Sequence, residues 1–157
     1  MQLIILRHGK AEDHHPNGDF SRALTEKGRE QARNAARILK AAGELPEIVL
    51  ASPLVRAQQT AEEFCKSANL PKPITQIWLS CGCSPRTALS ELSLYSDSKR
   101  VMIVGHEPDL SSLIESLTSA EDCSIPMKKG QLACLEIHPP SLHGTLLYLI
   151  PPKFTGA

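Results

Sequence analysis

No stretch of this 157-residue sequence approaches the roughly 18 consecutive apolar residues that a membrane-spanning helix needs. The amino-terminal apolar run, at residues 3–6, is too short for the core of a secretory signal peptide. Its basic residue, Arg7, also follows the run instead of preceding it. We therefore expect a cytoplasmic protein that has no membrane partner.

An excess of either charge is also missing. The 17 Lys and Arg residues balance the 17 Asp and Glu residues. Because nucleic acids and anionic membranes bind proteins through clustered Lys and Arg, we expect neither as a partner. Internal repeats and low-complexity segments are missing too, and the length fits one domain. We therefore expect a single domain over residues 1–157.

The cysteines lack the spacing of a zinc site. Their number is odd, and they are Cys65, Cys81, Cys83, Cys123 and Cys134. No second ligand pair follows Cys81-Gly-Cys83 at zinc-site spacing. That pair could still hold a metal or form a redox couple. Free thiols in a reducing compartment are the interpretation we favour.

What the sequence does contain is an alternation of strand and helix patterns. Apolar runs predict about six strands, at residues 3–6, 47–51, 74–79, 101–104, 131–137 and 145–150. Helical spacing and caps predict four helices, between Thr25 and Gly43, between Ser52 and Pro71, over 84–95 and over 110–117. This order predicts an α/β fold, a three-layer α/β/α sandwich around a mostly parallel sheet that ends in an antiparallel hairpin.

Two positions in these helices carry specific predictions. Ser52 is expected to be the N-cap of the second helix, with Pro53 at its first position, where the missing N–H of proline is harmless. Gly28 lies in the first turn of the first helix, where it lowers helix propensity. It either permits close approach of another backbone segment or is simply tolerated.

Functional side chains follow three of the predicted strands. Arg7 and His8 come directly after the first strand, and His106 follows the fourth. Arg56 lies in the first turn of the helix after the second strand. Because ligands of open α/β sheets bind outside the carboxyl ends of the strands, we expect these residues to share one pocket.

Such a pocket suits chemistry at phosphorus. The guanidinium group of arginine presents a planar fork of donors that matches phosphate oxygens. A neutral imidazole is a competent nucleophile, and its ordinary pKa of about 6.5 leaves much of it neutral at cellular pH. Helix N-termini would add backbone donors. Together these groups favour an in-line attack on a phosphoryl group.

Four segments of the chain resemble motifs of the histidine phosphatase superfamily, whose fold is also called phosphoglycerate-mutase-like. They are Arg7-His8-Gly9, residues 19–28 (DFSRALTEKG), residues 52–61 (SPLVRAQQTA) and residues 104–108 (VGHEP). Their order and spacing agree with the family over nearly the whole chain. The short length and the GHEP form resemble the SixA-like phosphohistidine phosphatases, the small branch of the superfamily. The resemblance implies a mixed sheet with one antiparallel strand.

The resemblance also implies catalytic roles. His8 would be the nucleophile and would become transiently phosphorylated. Arg7, Arg56 and His106 would bind the phosphoryl oxygens, and water would then hydrolyse the phosphorylated His8. No metal or organic cofactor is expected.

Further substrate-binding candidates are Gly9, Arg22 and Glu107. Arg22 either extends the positive pocket or pairs with Asp19, three residues earlier. Alternatives remain for the other candidates as well. Arg56 could instead pair with an acid of its own helix, Glu62 or Glu63. The loop histidines His14 and His15 could contact a metal or substrate, although solvent exposure is the interpretation we favour.

One departure from the larger superfamily members bears on the substrate. Those members carry, after the third strand, a Glu or Asp that protonates the leaving oxygen, whereas residues 79–85 here contain no carboxylate. An alkoxide leaving group needs a proton donor, whereas phosphohistidine leaves as imidazole, a far better leaving group. The sequence thus favours phosphohistidine over phosphate esters, provided that neither Asp19 nor Glu107 reaches the pocket as an acid.

The leading hypothesis is therefore a phosphatase that dephosphorylates phosphohistidine on a protein, such as a histidine phosphotransfer domain. A small-molecule phosphate monoester phosphatase is the alternative within enzymes. A non-catalytic module that binds phosphate or phosphoproteins is the alternative outside them.

Overall fold

The structure is a computed structural model that describes residues 1–120 and 124–155, and within these ranges it contains six strands and four α-helices. The strands are β1 (Gln2–Arg7), β2 (Ile48–Ala51), β3 (Ile74–Thr75), β4 (Arg100–Gly105), β5 (Leu132–Ile137) and β6 (Gly144–Ile150). The helices are α1 (Glu26–Ala42), α2 (Val55–Ala68), α3 (Pro85–Leu92) and α4 (Asp109–Thr118).

All six strands form one sheet in the order β3-β2-β4-β1-β5-β6. The strands β1 to β4 are parallel to their neighbours, β5 is antiparallel to β1, and β6 forms an antiparallel hairpin with β5. A single strand, β5, therefore runs against the others. This is the mixed sheet with one reversed strand that the resemblance implied.

Two apolar layers cover the two faces of the sheet. On one face, Ile4 and Leu6 of β1 pack with residues of α1 and α2, including the fully buried Phe64. On the other, Leu3 and Ile5 pack with residues of α3 and α4. Successive side chains of a strand point to opposite faces, and burial on both faces is typical of parallel strands covered by helices. The predicted three-layer α/β/α fold is confirmed.

The first helix follows its sequence signals. The hydroxyl of Thr25 accepts a hydrogen bond from the backbone N–H of Gly28 at 3.2 Å, so Thr25 is the predicted N-cap. At the other end, Gly43 adopts the left-handed conformation with φ 70°, and its N–H bonds to the last carbonyls of the helix.

Two local predictions were wrong. The N-cap of α2 is Leu54, not Ser52, because the helix begins only at Val55. The hydroxyl of Ser52 accepts from the N–H of Leu54 and contacts His106 instead of capping the first turn. The third strand is only two residues long. Its partner β2 ends at Ala51, whose carbonyl accepts the N–H of Gln76, so the residues after Gln76 have no part of β2 left to pair with. The chain then makes a turn of 3₁₀ helix that buries Leu79 against α3.

Four cysteines lie in the described residues, and none of those four forms a disulfide. Cys65 and Cys134 are buried, whereas Cys81 is exposed and Cys83 is half-buried. The fifth, Cys123, lies outside the described residues. No described helix has the length and apolar character needed to cross a membrane.

Candidate active site

The register of the sheet aligns the carboxyl ends of its three central strands. Arg7, the last residue of β1, lies opposite Gly105, the last residue of β4, and the N–H of His8 donates to the carbonyl of Gly105 at 3.1 Å. On the other side of β4, the N–H of Ser52 donates to the carbonyl of Val104 at 3.0 Å. The residues that follow these strands therefore emerge side by side.

The two histidines of the predicted site lie against each other at this edge. The ring centroids of His8 and His106 are 5.1 Å apart, with an interplanar angle of 51°. Both residues are almost fully buried, with exposed fractions of 4% and 3%. The predicted convergence of the first and fourth strand ends is therefore present in the structure.

His8 is held as a specific tautomer. Its Nδ1 lies 2.8 Å from the carbonyl oxygen of Gly9. Because a carbonyl oxygen only accepts hydrogen bonds, Nδ1 carries the ring proton and Nε2 keeps its lone pair. Burial, followed by the nearby His106 and arginines, lowers the pKa of His8 to about 3, although the bond to Gly9 opposes the shift. At neutral pH the ring is uncharged and has a nucleophilic nitrogen.

The backbone around His8 is fixed by close packing. The N–H of Gly9 donates to the hydroxyl of Thr60 at 3.1 Å, and this hydroxyl donates to the carbonyl of Arg56 at 2.7 Å. A Cβ at Gly9 would lie 2.5 Å from the carbonyl oxygen of Gly28, and a Cβ at Gly28 would lie 2.1 Å from that of Lys10. Gly28 therefore permits a close backbone approach, which decides between its two interpretations.

Arg56 lies in the first turn of α2 and is 5% exposed. It donates from Nη1 to the carbonyl of Asp19 at 2.8 Å and from Nη2 to the Asp19 carboxylate at 3.1 Å. Its Nε is buried and has no hydrogen-bond partner among residues 1–120 and 124–155. The alternative pairing of Arg56 within its own helix is wrong, because Arg56 pairs with Asp19 instead. Glu63 pairs with Arg29 and Arg33.

Arg7, like Arg56, has a bonded terminal nitrogen and a buried Nε that has no partner in the described part of the chain. The bonded nitrogen, Nη1, donates to the carbonyl of Met127 at 2.7 Å. Burial and the nearby Arg56 lower the pKa of Arg7, and Glu107 opposes them. Two guanidinium groups with unpaired N–H donors thus lie near the two histidines.

Asp19 links Arg22 to this group. Arg22 donates to the other carboxylate oxygen of Asp19 at 2.7 Å and, through Nε, to the carbonyl of Glu12 at 2.6 Å. Burial acts in the opposite direction, but hydrogen bonds from Arg22 and Arg56 lower the pKa of Asp19 below its ordinary value. The structure confirms the pairing of Arg22 with Asp19, whereas a contribution of Arg22 to substrate binding stays a prediction.

The ring of His106 has one bonded and one unbonded nitrogen. Its Nε2 lies 2.7 Å from the hydroxyl oxygen of Ser52, whereas its Nδ1 is buried and has no partner among the described residues. Burial, followed by the charges of Arg56 and Arg7, lowers the pKa of His106 to about 4, although Asp19 opposes the shift. His106 is therefore also neutral at neutral pH.

Glu107 contacts the start of α4. Its Oε2 accepts a hydrogen bond from the hydroxyl of Ser111, and its Oε1 is buried without a partner in the described ranges. Its charge is close enough to Arg7 to raise the pKa of that guanidinium. Glu107 therefore brings a second carboxylate, besides Asp19, to the edge of the arginine pocket.

Comparison with known proteins identifies the family. A family model described as the histidine phosphatase superfamily (branch 1) matches residues 3–77. Phosphohistidine phosphatase SixA of Escherichia coli is 32% identical over 124 residues, which are 77% of this chain and 76% of that protein. The chain belongs to the histidine phosphatase superfamily.

The likeness extends to solved structures. A structure of the protein histidine phosphatase SixA complexed with tungstate has a TM-score of 0.87 and 28% identity, and covers 98% of this chain and 99% of its own. Phosphoglycerate mutase 2 of Saccharomyces cerevisiae is 41% identical over 85 residues, or 49% of this chain. The chain spans only 27% of the length of that mutase. The fold of the SixA structure, in contrast, is shared over 98% of this chain.

The loop histidines His14 and His15 lie near Asp19 and Arg22, and Cys83 lines a cavity together with His106. His14 is exposed and His15 half-buried in the loop before Asp19, and the imidazole of His15 accepts a bond from the N–H of Asn17. The loop of Cys81 and Cys83 is held by Asp109, whose carboxylate accepts from two backbone N–H groups. Within the described residues, no group of three or more His, Cys, Asp and Glu side chains is placed to hold a metal ion.

Two residues that contact the candidate site, Ser52 and Thr60, were not among the sequence-predicted site residues. Ser52 was interpreted as a helix cap, and Thr60 was noted only as part of a motif. Both belong to the segment at 52–61 that resembles the second superfamily motif. That resemblance was the available signal, but it did not indicate that their hydroxyls would contact His106 and Gly9.

Proposed function

We propose that the protein is a phosphatase in which Nε2 of His8 accepts a phosphoryl group and passes it to water, and that its substrate is phosphohistidine on another protein. The observation that carries this proposal is the state of His8. Its proton is held on Nδ1 by Gly9, its pKa is lowered to about 3, and its free Nε2 lies beside His106 and two arginines.

In the first step, a bond forms between phosphorus and Nε2 of His8 while the P–N bond of the substrate breaks. The substrate ring carries a proton on its second nitrogen and so leaves as neutral imidazole. In the second step, water attacks phosphorus, the electron pair of the P–Nε2 bond returns to His8, and the water releases a proton. The carbonyl of Gly9 holds the Nδ1 proton throughout, so His8 also leaves as neutral imidazole.

The transition state of each step spreads negative charge over the equatorial phosphoryl oxygens. The unpaired Nε groups of Arg7 and Arg56 and the unbonded Nδ1 of His106 supply donors for that charge. Because these groups are buried, their hydrogen bonds to the transition state are stronger than they would be in water.

Three observations support phosphohistidine as the substrate, with imidazole as the leaving group. Residues 79–85 contain no carboxylate, and Asp19 has a lowered pKa, so it is ionised at neutral pH and is a poor proton donor. The relative that is 32% identical over 76% of its length is a phosphohistidine phosphatase. A site that offers no proton favours a substrate whose leaving group needs none.

Exposed apolar side chains near the site support a protein as the substrate. Phe20 follows Asp19 directly and is 54% exposed, and Ile77 follows the carboxyl end of β3 and is 81% exposed. A protein substrate could cover such apolar side chains on binding, whereas a small phosphate ester could not. We therefore favour a phosphorylated protein such as a histidine phosphotransfer domain.

Glu107 favours the second candidate, a small-molecule phosphate monoesterase. Its Oε1 is buried without a partner in the described residues, and its neighbour in the sequence is His106. A proton on that oxygen would give an alkoxide leaving group the acid that it needs. Replacing Glu107 with Gln removes this function while keeping an amide group that can accept from Ser111.

The test compares a phosphohistidine-bearing phosphotransfer domain with p-nitrophenyl phosphate as substrates. We expect a higher kcat/KM for the phosphotransfer domain, and no loss of that activity in Glu107→Gln. His8→Ala should lose both activities and trap no acid-labile phosphate, whereas His14→Ala, an exposed loop histidine, should behave like the wild type. A higher kcat/KM for the ester would favour the second candidate. Release from neither substrate would leave a non-catalytic binding module.

A further inference from the structure

Ser52 lies between the ends of two strands and has no contact with solvent. It directly follows β2, its exposed fraction is 0%, and its N–H is bonded to the carbonyl of Val104 in β4. Its hydroxyl oxygen is 2.7 Å from Nε2 of His106. The hydroxyl group is therefore fixed in place by the sheet, not by a flexible loop.

The direction of the bond between Ser52 and His106 follows from the hydroxyl hydrogen of Ser52, which needs an acceptor. The N–H of Leu54 donates to the Ser52 oxygen at 3.3 Å, so this oxygen already accepts one hydrogen bond. For the hydroxyl hydrogen, Nε2 of His106 is the acceptor at hydrogen-bond distance among the described residues. With Ser52 donating to Nε2, the ring proton of His106 lies on Nδ1.

That Nδ1 is the nitrogen without a protein partner in the described ranges. The ring that carries it lies 5.1 Å from the ring of His8, centroid to centroid. An N–H that is buried and unpaired is costly, and such groups are found where a ligand or a transition state completes the bond. The Nδ1–H of His106 can thus donate to an oxygen of a phosphoryl group while the lone pair on Nε2 of His8 attacks its phosphorus.

We propose that Ser52 is a positioning residue that holds His106 as the Nδ1–H tautomer, so that this imidazole donates a hydrogen bond to the phosphoryl group on its way to His8. The kinetic part of this proposal rests on the proposed function. The tautomer does not, because it is a property of the resting protein. Without the hydroxyl, the ring is free to carry its proton on either nitrogen, and the donor is present only part of the time.

The first experiment measures the tautomer directly by ¹⁵N NMR of histidine-labelled protein at neutral pH. In the wild type, His106 should show a protonated Nδ1 and an unprotonated Nε2, and inorganic phosphate should shift the Nδ1 resonance. In Ser52→Ala the two nitrogens should move toward averaged shifts, and Ser52→Thr, which keeps a hydroxyl, should restore the wild-type pattern. A wild-type His106 that is protonated on Nε2 would overturn the proposal, whether or not the protein is an enzyme.

The second experiment measures phosphohistidine hydrolysis. At metal sites, loss of a partner that orients a ligating imidazole typically costs about 10- to 100-fold, and we expect a fall of similar size in kcat for Ser52→Ala. Ser52→Thr should recover activity. The matched control is Ser67→Ala, a half-buried serine of α2 that bonds to the carbonyl of Arg33.

A double-mutant cycle separates positioning from simple stabilisation. If Ser52 acts through His106, then Ser52→Ala should cause no further loss in a His106→Ala background, because residues that act as a unit are not additive. Additive losses would contradict the proposal. So would a Ser52→Ala variant with wild-type kcat and an unchanged tautomer. A wild-type protein that hydrolyses no phosphorylated substrate would refute the proposed function, and the NMR result would still decide the tautomer.

Discussion

The carboxylate of Asp19 is the counter-ion of Arg56, which donates one hydrogen bond to its carboxylate oxygen and another to its main-chain carbonyl. A phosphoryl group that binds Arg56 must compete with this negative charge. The carbonyl bond does not depend on the carboxylate, so the charge can be removed while the guanidinium stays in place.

We therefore expect Asp19→Asn to bind inorganic phosphate more tightly. Because Asp19 is exposed and its ion pair is screened by solvent, the inhibition constant for phosphate should fall only about two- to five-fold. Competitive inhibition kinetics measure this change. Asp13→Asn, an exposed carboxylate of the same loop, should leave the constant unchanged. A 100-fold loss of ester hydrolysis in Asp19→Asn would instead mark Asp19 as the general acid.

The two lowered histidine pKa values predict how stability depends on pH. In the folded protein, His8 and His106 have pKa values of about 3 and about 4, whereas in the unfolded chain they lie near 6.5. Above pH 6.5 neither state binds these protons. Between pH 6.5 and about 4 only the unfolded state binds them, so their contribution destabilises the fold progressively as the pH falls.

Replacing His106 should reduce this dependence. We expect the urea midpoint of wild-type protein to fall more between pH 7.5 and pH 5 than that of His106→Gln, which binds no proton at this position in either state. His14→Gln, at an exposed position, should keep the wild-type slope. Equal slopes for wild type and His106→Gln would mean that His106 is already protonated in the folded protein at pH 5.

Gly28→Ala tests whether backbone contact or helix propensity decides stability at this position. Propensity alone predicts a gain of up to about 1 kcal/mol, because alanine is the better helix former. Contact predicts a loss, since the added Cβ would lie 2.1 Å from the carbonyl oxygen of Lys10. We expect a net loss of about 1–3 kcal/mol in the free energy of unfolding, measured by urea denaturation. Lys27→Ala, an exposed neighbour in α1, should change it by less than about 0.5 kcal/mol.

The exposed Cys81 and the half-buried Cys83 are expected to be dispensable. Burial, reinforced by the charge of Asp109, raises the pKa of the Cys83 thiol, so little thiolate is present at neutral pH. The loop is held through backbone N–H groups of Gly82 and Cys83, which a side-chain change leaves in place. The double variant Cys81→Ser and Cys83→Ser should keep kcat/KM within about two-fold. A larger loss, or inhibition of the wild type by a thiol reagent that spares the variant, would indicate a role for these thiols.

Much of this arrangement could be predicted from the sequence, because local patterns determine it. Short apolar runs predicted where β1 and β4 end, and the rule for open sheets then placed His8 beside His106. The N-cap of α1 was also correct, since the capping bond of Thr25 is made within its own first turn. The expected absence of nucleic-acid and membrane partners stays a prediction.

The errors arose where a residue had both a local and a long-range partner available. Ser52 satisfies the rule for a helix cap, yet its hydroxyl bonds to His106, 54 residues away. The length of β3 depended on where its partner β2 ends, which the local run at 74–79 does not contain. The contact of Asp19 with Arg56 likewise joins two elements whose approach only the folded chain defines.

The alignment of β1 with β4 separates the chemistry of this protein from its choice of substrate. His8 and His106 are spaced by the hydrogen bonds of neighbouring strands, whereas Asp19 and Phe20 belong to a surface loop. Loops tolerate insertion and exchange far better than the central strands of a sheet. A different segment grafted between Asp13 and Gly18 would keep the contact of Asp19 with Arg56. Under the proposed function, such a graft should change which phosphorylated proteins are accepted while the two histidines keep their spacing.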